Sequence, residues 1–182
     1  MFKFKRFLLL GNLAVVLLAC LVFTFTIGAP STVFASAQSC NSVATGSWSY
    51  NCTVSQGNIS NFAVAIQQSV NKSSTSYNGH TCSTGTLDGN FGTNTYNGVV
   101  CFQHAKSISA DGIVGPQTWG AMYNMLQYNG TAYGWAYYHM LSSSNGVFAK
   151  NTSTGVWWVW FGSSLTSGNW CPMNMSSPCY KP

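Results

Sequence analysis

Carboxylates are almost absent from this 182-residue chain: it has no Glu and only two Asp, Asp88 and Asp111. That scarcity works against most hydrolytic chemistry. A glycosidase of the usual kind sets two carboxyl groups across the scissile bond. A zinc hydrolase needs His and carboxylate ligands with a base beside them. His80, His104 and His139 fall in no H-x-x-x-H or H-x-x-E-H setting, no C-x-x-C pair occurs, and there is no G-x-S-x-G elbow. The expectation is therefore no catalytic residue, no metal and no cofactor. Arg is missing after Arg6 and the lysines are scattered, so no basic patch offers itself to nucleic acid.

Apolar sequence is concentrated at the start. Lys3, Lys5 and Arg6 precede a run from Phe7 to Ile27, and Ala35-Ser36-Ala37 offers a small-x-small cleavage site. Residues 1–37 read as an export signal cut before Gln38. The run is also near the roughly 20 residues needed to span a bilayer, so membrane attachment follows if the leader is kept. Leu17-Leu18-Ala19-Cys20 loosely resembles an acylation box, but apolar sequence continues beyond it. After residue 37, Lys72, Lys106, Lys150 and Lys181 face the two Asp, a net charge of +2.

Six cysteines follow the leader. An even set in an exported chain implies disulfides, and six allow 15 connectivities. The shortest loops suggest Cys40–Cys52, Cys82–Cys101 and Cys171–Cys179. With all six paired, no thiolate remains for a Cys–His hydrolase.

Four segments emerge. After the leader, 38–58 is Ser- and Asn-rich and reads as a Cys-stapled lead-in. In 59–127, Phe62, Ile66 and Val70 mark a helix face with Ser60 as its N-cap. The stretch 71–86 reads as loop. A second helix is expected over 93–105, interrupted by Gly98, which calls for a packing reason such as a neighbouring helix. Pro116 opens a third, with Trp119, Met122, Tyr123 and Leu126 on one face. In 128–182, alternation through Tyr133, Trp135, Tyr137 and His139, and again around Asn151–Gly155, predicts antiparallel strands. Their aromatics are read mostly as core, although exposed rings could stack on a glycan.

Both acids sit in one repeated frame. "DGNFGTNT" at 88–95 returns 23 positions later as "DGIVGPQT" at 111–118. Asp can accept backbone N–H groups of a tight turn and Gly supplies its unusual angles. Phe91 and Val114 would plug into the core. Gly92 and Gly115 would start helices whose first turn holds Thr95 and Thr118. Asp88, Gly89, Asp111 and Gly112 are thus expected to build turns.

These residues, with Ile66-Gln67, Val99, Phe102-Gln103 and Trp119, resemble the peptidoglycan-binding domain family, a small three-helix wall-binding module. The resemblance covers about 59–127. It departs where Gly98 replaces the usual Ala and where the long loop 71–87 carries Cys82. The fold it implies for that segment is a three-helix bundle; with the strands expected after residue 128, the chain is expected to be mainly α, with a small disulfide-braced antiparallel β extension at the C-terminus. The partner it implies is peptidoglycan; the leader adds secretion or wall association and the missing catalytic residues add a non-catalytic role, so a secreted, non-catalytic, monomeric binding protein is expected. Tyr77, Asn90, Asn94 and Gln103 are the candidate polar lining of its site. The rival readings are an accessory or atypical wall hydrolase, and an interaction protein that binds another glycan or a protein through its aromatic sheet.

Overall fold

The computed structural model describes residues 48–141, 143, 147–164 and 167–173. The expected leader, Cys40 and Cys179 lie outside the described residues. Helix α1, Asn61–Lys72, starts where Ser60 Oγ accepts the Ala63 N–H at 3.3 Å. Every residue from Asn61 to Val70 is buried. Four of these are polar, and each finds a partner. Asn61 Nδ2 donates to the Pro172 carbonyl (2.7 Å) and Gln68 Nε2 to the Trp160 carbonyl (2.8 Å). Ser69 Oγ donates to Ala65 O, and Gln67 reaches the first Asp-Gly turn.

The stretch expected to be loop contains a hairpin. Strands β1 (Ser76–Tyr77) and β2 (His80–Thr81) pair across Asn78-Gly79, both with positive φ. Asn-Gly is the preferred dipeptide for such a two-residue turn. Helix α2, Thr93–Ala105, follows, and the Cys82–Cys101 disulfide ties the segment after β2 to it. Cys52 and Cys171 are also half-cystines.

Gly98 lies in α2 against this tied segment, not against another helix. A Cβ there would stand 2.5 Å from the Ser83 carbonyl oxygen and 2.8 Å from Thr84 Cγ2. Gly98→Ala should gain about 1 kcal/mol in helix propensity yet lose ~1–3 kcal/mol to overpacking. The neighbour is backbone held by a disulfide, so the loss should win. A lower urea midpoint with an unchanged m-value would show it.

Helix α3, Pro116–Tyr123, is shorter than its periodicity suggested. Asn124 caps it, and Leu126 opens strand β3, Leu126–Ala132. The chain then runs as an antiparallel meander through β4 (Trp135–Met140), β5 (Phe148–Asn151), β6 (Trp157–Ser164) and β7 (Ser167–Pro172), in the sheet order β3-β4-β5-β6-β7. Tyr133-Gly134, again both at positive φ, turns β3 into β4.

The protein is therefore not mainly α. The helices hold 12, 13 and 8 residues, and a five-stranded antiparallel sheet, not a small extension, matches them. The alternating aromatics fall on strands from Trp135 and again from Trp157, whereas Tyr133 lies in a turn, and the sheet extends further than expected. Strand β3 carries Asn129 and Gly130, which argue against a strand, and is accommodated by a shift in register between Tyr128 and Thr131.

One face of the sheet is part of the main core. Met140, Phe148, Trp157, Val159 and Cys171 join Phe62, Ile66, Trp119 and Met122 in a single buried cluster. Trp48, in a one-turn 3₁₀ helix at Trp48–Tyr50, sits within that cluster and is fully buried. It meets Trp119, Phe148 and Trp157 edge-on at 5.9, 4.9 and 5.5 Å. The lead-in thus supplies a core side chain shared by helices and sheet. Among the described residues, no helix is long and apolar enough to cross a membrane.

Candidate functional site

The two Asp-Gly turns are organised from beneath by glutamines. In the first, Asp88 Oδ1 accepts the Asn90 N–H (2.9 Å) and Gln67 Nε2 (2.7 Å). Gln67 Oε1 accepts the Asp88 and Gly89 N–H groups at 3.1 and 2.9 Å. Its Nε2 also reaches the Asn90 carbonyl and Thr95 Oγ1 at 3.1 and 3.0 Å.

The second turn repeats the arrangement with Gln103. Asp111 Oδ1 accepts the Ile113 N–H (2.9 Å) and Gln103 Nε2 (3.2 Å). Gln103 Oε1 accepts the Gly112 N–H, and its Nε2 reaches the Ile113 carbonyl and Thr118 Oγ1, at 2.9, 2.9 and 3.0 Å. In both cases the amide of a helix buried in the fold replaces water for a turn that launches the next helix. The plugs Phe91 and Val114 are fully buried.

Glycine is required at the second place. Gly89 and Gly112 have φ of 70° and 72°, a region that side-chain-bearing residues avoid. At Gly112 a Cβ would also stand 2.0 Å from the Tyr96 ring. The segment before α1 straps both turns. Val54 and Val114 exchange backbone hydrogen bonds at 3.1 and 2.8 Å, while Phe91 N–H donates to Asn58 O at 2.8 Å. Trp119 Nε1 closes the same side by donating to Cys52 O at 2.9 Å.

Each turn leaves an open cleft on its outer side. The first, about 180 Å³, is lined by Thr84, Thr86, Asp88, Asn90, Thr93 and Asn94 with neighbouring backbone. The second, about 200 Å³, is lined by Ser109, Asp111, Ile113, Pro116 and Gln117. Apart from Thr84, these positions correspond one to one at the 23-residue spacing of the repeat. The first cleft is polar at places where the second has Ile113 and Pro116. Helix α2 begins at Gly92 without a side-chain cap, so backbone donors of its first turn add to that polar lining.

The structure brings Asn90 and Asn94 together in the first cleft, beside Asp88. Tyr77 lies elsewhere, stacked on His104 near the C-terminal end of α2, with ring centroids 4.7 Å apart. Gln103 is fully buried with its amide bonded inside the fold, which corrects the expectation that it lines a ligand site. Sequence reasoning missed Thr93, which receives a hydrogen bond from Gln56 Nε2. It also missed Asn71, whose Oδ1 accepts Thr84 N–H and Thr84 Oγ1 at 2.8 and 3.0 Å and so fixes one wall. The only available signal was the 23-residue repeat, which places position 93 opposite Pro116. Among the described residues, no cluster of His, Cys, Asp or Glu could hold a metal ion.

Residues 74–122 match a family described as "Putative peptidoglycan binding domain". This is the family that the sequence motifs resemble, and the matched segment contains both Asp-Gly turns and α2. No curated protein matches the chain.

Proposed function

We propose that the protein is a secreted, non-catalytic peptidoglycan-binding protein, and that it contacts the polymer through the first turn cleft with Asn90, Thr93 and Asn94. The observation that carries this is the family match across the segment that builds the cleft. The lining supports it. Neutral amides and hydroxyls suit the hydroxyl, acetamido and peptide groups of a wall polymer, which offers many neutral hydrogen-bonding groups. Both Asp carboxylates of the chain are hydrogen-bonded to glutamine amides and turn N–H groups, which favours binding over catalysis. A disulfide in the matched segment fits an extracellular or wall location.

Purified sacculi should pellet the protein in both low and high salt. Screening weakens charge attraction, so pelleting that disappears with salt would reflect only the small positive charge. The double replacement Asn90→Ala with Asn94→Ala should weaken pelleting by about tenfold, as for two neutral hydrogen bonds of ~0.5–1.5 kcal/mol each. A chain that never pellets would refute the proposal. Clear zones around the protein in a wall-containing gel would refute the non-catalytic part.

A further inference from the structure

The outer face of the sheet carries a second kind of cleft, unrelated to the Asp-Gly repeat. Strand pairing sets Ala149 of β5 between Tyr137 of β4 and Trp158 of β6. Trp135 and Trp170 complete a recess of about 190 Å³, and all five lining residues belong to the sheet. Ala149 is its floor, 2% exposed. The rings hold one another in place: Trp135 meets Trp158 at 5.2 Å and 81°, and Tyr137 meets Trp170 at 6.0 Å and 60°. Trp160 extends the row, 5.4 Å from Trp170.

The core does not explain the four rings of the recess. Strand β6 alternates: Trp157 and Val159 are buried inward, while Trp158 points the other way and is only half-buried. Trp135, Tyr137, Trp158 and Trp170 lie outside the core cluster, against which Trp160 packs. Large apolar groups held partly open to water are informative in a way that scattered exposed residues are not.

The chemistry of the recess narrows its occupant. The lining contributes no charged side chain, so a charged ligand would lose its hydration without gaining a counter-ion. It is not purely apolar either. Among the described residues, none accepts or donates a hydrogen bond at the side chains of Trp135, Tyr137 or Trp158. Two indole N–H groups and a phenol are thus left for a ligand. An occupant with an apolar face and hydroxyl edges satisfies both: ring C–H bonds meet the negative face of an aromatic quadrupole, and hydroxyls take the polar edges. At 190 Å³ the recess is smaller than the ~300–1,000 Å³ of pockets that swallow a whole ligand, which suits one unit of a polymer. Its five residues also fall well short of the roughly 20–30 a side that a stable protein interface uses.

We propose that the outer-face recess binds one uncharged pyranose ring of a glycan strand. The proposal goes beyond the turn-cleft reading and does not depend on it.

The test is titration of the purified chain with chitotetraose, an uncharged β-1,4-linked N-acetylglucosamine tetramer, followed by tryptophan fluorescence and calorimetry. Saturable binding with a blue shift is expected. Trp158→Ala should weaken it about tenfold, the order expected for losing one stacking ring. Ala149→Leu keeps every ring but fills the floor, and should abolish binding while thermal unfolding stays cooperative. The Asn90→Ala/Asn94→Ala protein should bind the tetramer normally, so failure at one site can be told from failure at the other. Absence of saturable binding, or unchanged binding in the Ala149→Leu protein, would overturn the proposal. Self-association lost in Ala149→Leu would give the recess to a second copy. Binding gained only on removing residues 174–182 would give it to the chain's own C-terminus. Either result would also overturn it.

Discussion

Replacing Gln103 by Leu is expected to destabilise the protein by about 3–5 kcal/mol, although the two side chains are close in size. Leu fits the apolar surroundings of α2 well enough. The cost arises in the turn, where the Gly112 N–H loses its acceptor and the Ile113 carbonyl and Thr118 hydroxyl lose a donor. Gly112 and Thr118 are buried, so water does not easily replace the missing partner. Denaturant unfolding measures the loss. Gln103→Glu separates size from chemistry. One Glu oxygen can still accept from Gly112, but the other would face Asp111 Oδ1 where the amide nitrogen now stands at 3.2 Å. Two carboxylates this close raise the pKa of the pair in the folded state. The folded protein then binds more protons than the unfolded chain, so stability should fall as pH rises through the carboxylate range and recover on acidification. Gln103→Leu should show no such recovery.

The second large effect is expected at Trp48. Trp48→Ala should cost about 3–5 kcal/mol. It should also remove most of the near-ultraviolet circular dichroism, because the ring organises Trp119, Tyr123, Phe148 and Trp157 around itself. Those partners come from α3, β5 and β6. In the wild type, far-ultraviolet signal and tryptophan fluorescence should therefore lose structure in one transition. In Trp48→Ala the two probes should separate, with the sheet reporting the earlier melt. Coincident curves in the variant would mean that the α1–sheet hydrogen bonds from Asn61 and Gln68 couple the parts without the ring.

The limits of the sequence reading follow the range of the forces involved. Local signals were legible. Ser60 caps α1 as its position suggests, α2 spans 93–105, and the Asp carboxylates accept turn N–H groups. Long-range partners were not. Nothing near Gln67 announces a turn 21 residues away, and Trp48 stands alone in a Ser- and Asn-rich stretch whose composition suggests surface. Gln103 follows Phe102 directly, and both are buried. Adjacent helix positions differ by about 100°, so a polar residue beside a core one is naturally taken to point outward. The same applies to β3, where Leu126 continues the apolar stripe of α3 in sequence but starts a strand in space. Asn90, Asn94, Tyr77 and Gln103 are all expected at the cleft from polarity, which says nothing about direction: the first two line it, Tyr77 stacks on His104 and Gln103 is buried.

The paired glutamines also divide labour within each eight-residue frame. Places one, two and eight answer to the amide below, and place four to the core. Place three gives the amide only its backbone carbonyl, and the side chains of places three, six and seven line the cleft: Asn90, Thr93 and Asn94 in one copy, Ile113, Pro116 and Gln117 in the other. The fold thus keeps its grammar in one set of letters and its vocabulary in another. Exchanging the three outward residues between copies would rewrite what each surface says while leaving the sentence that folds the chain intact.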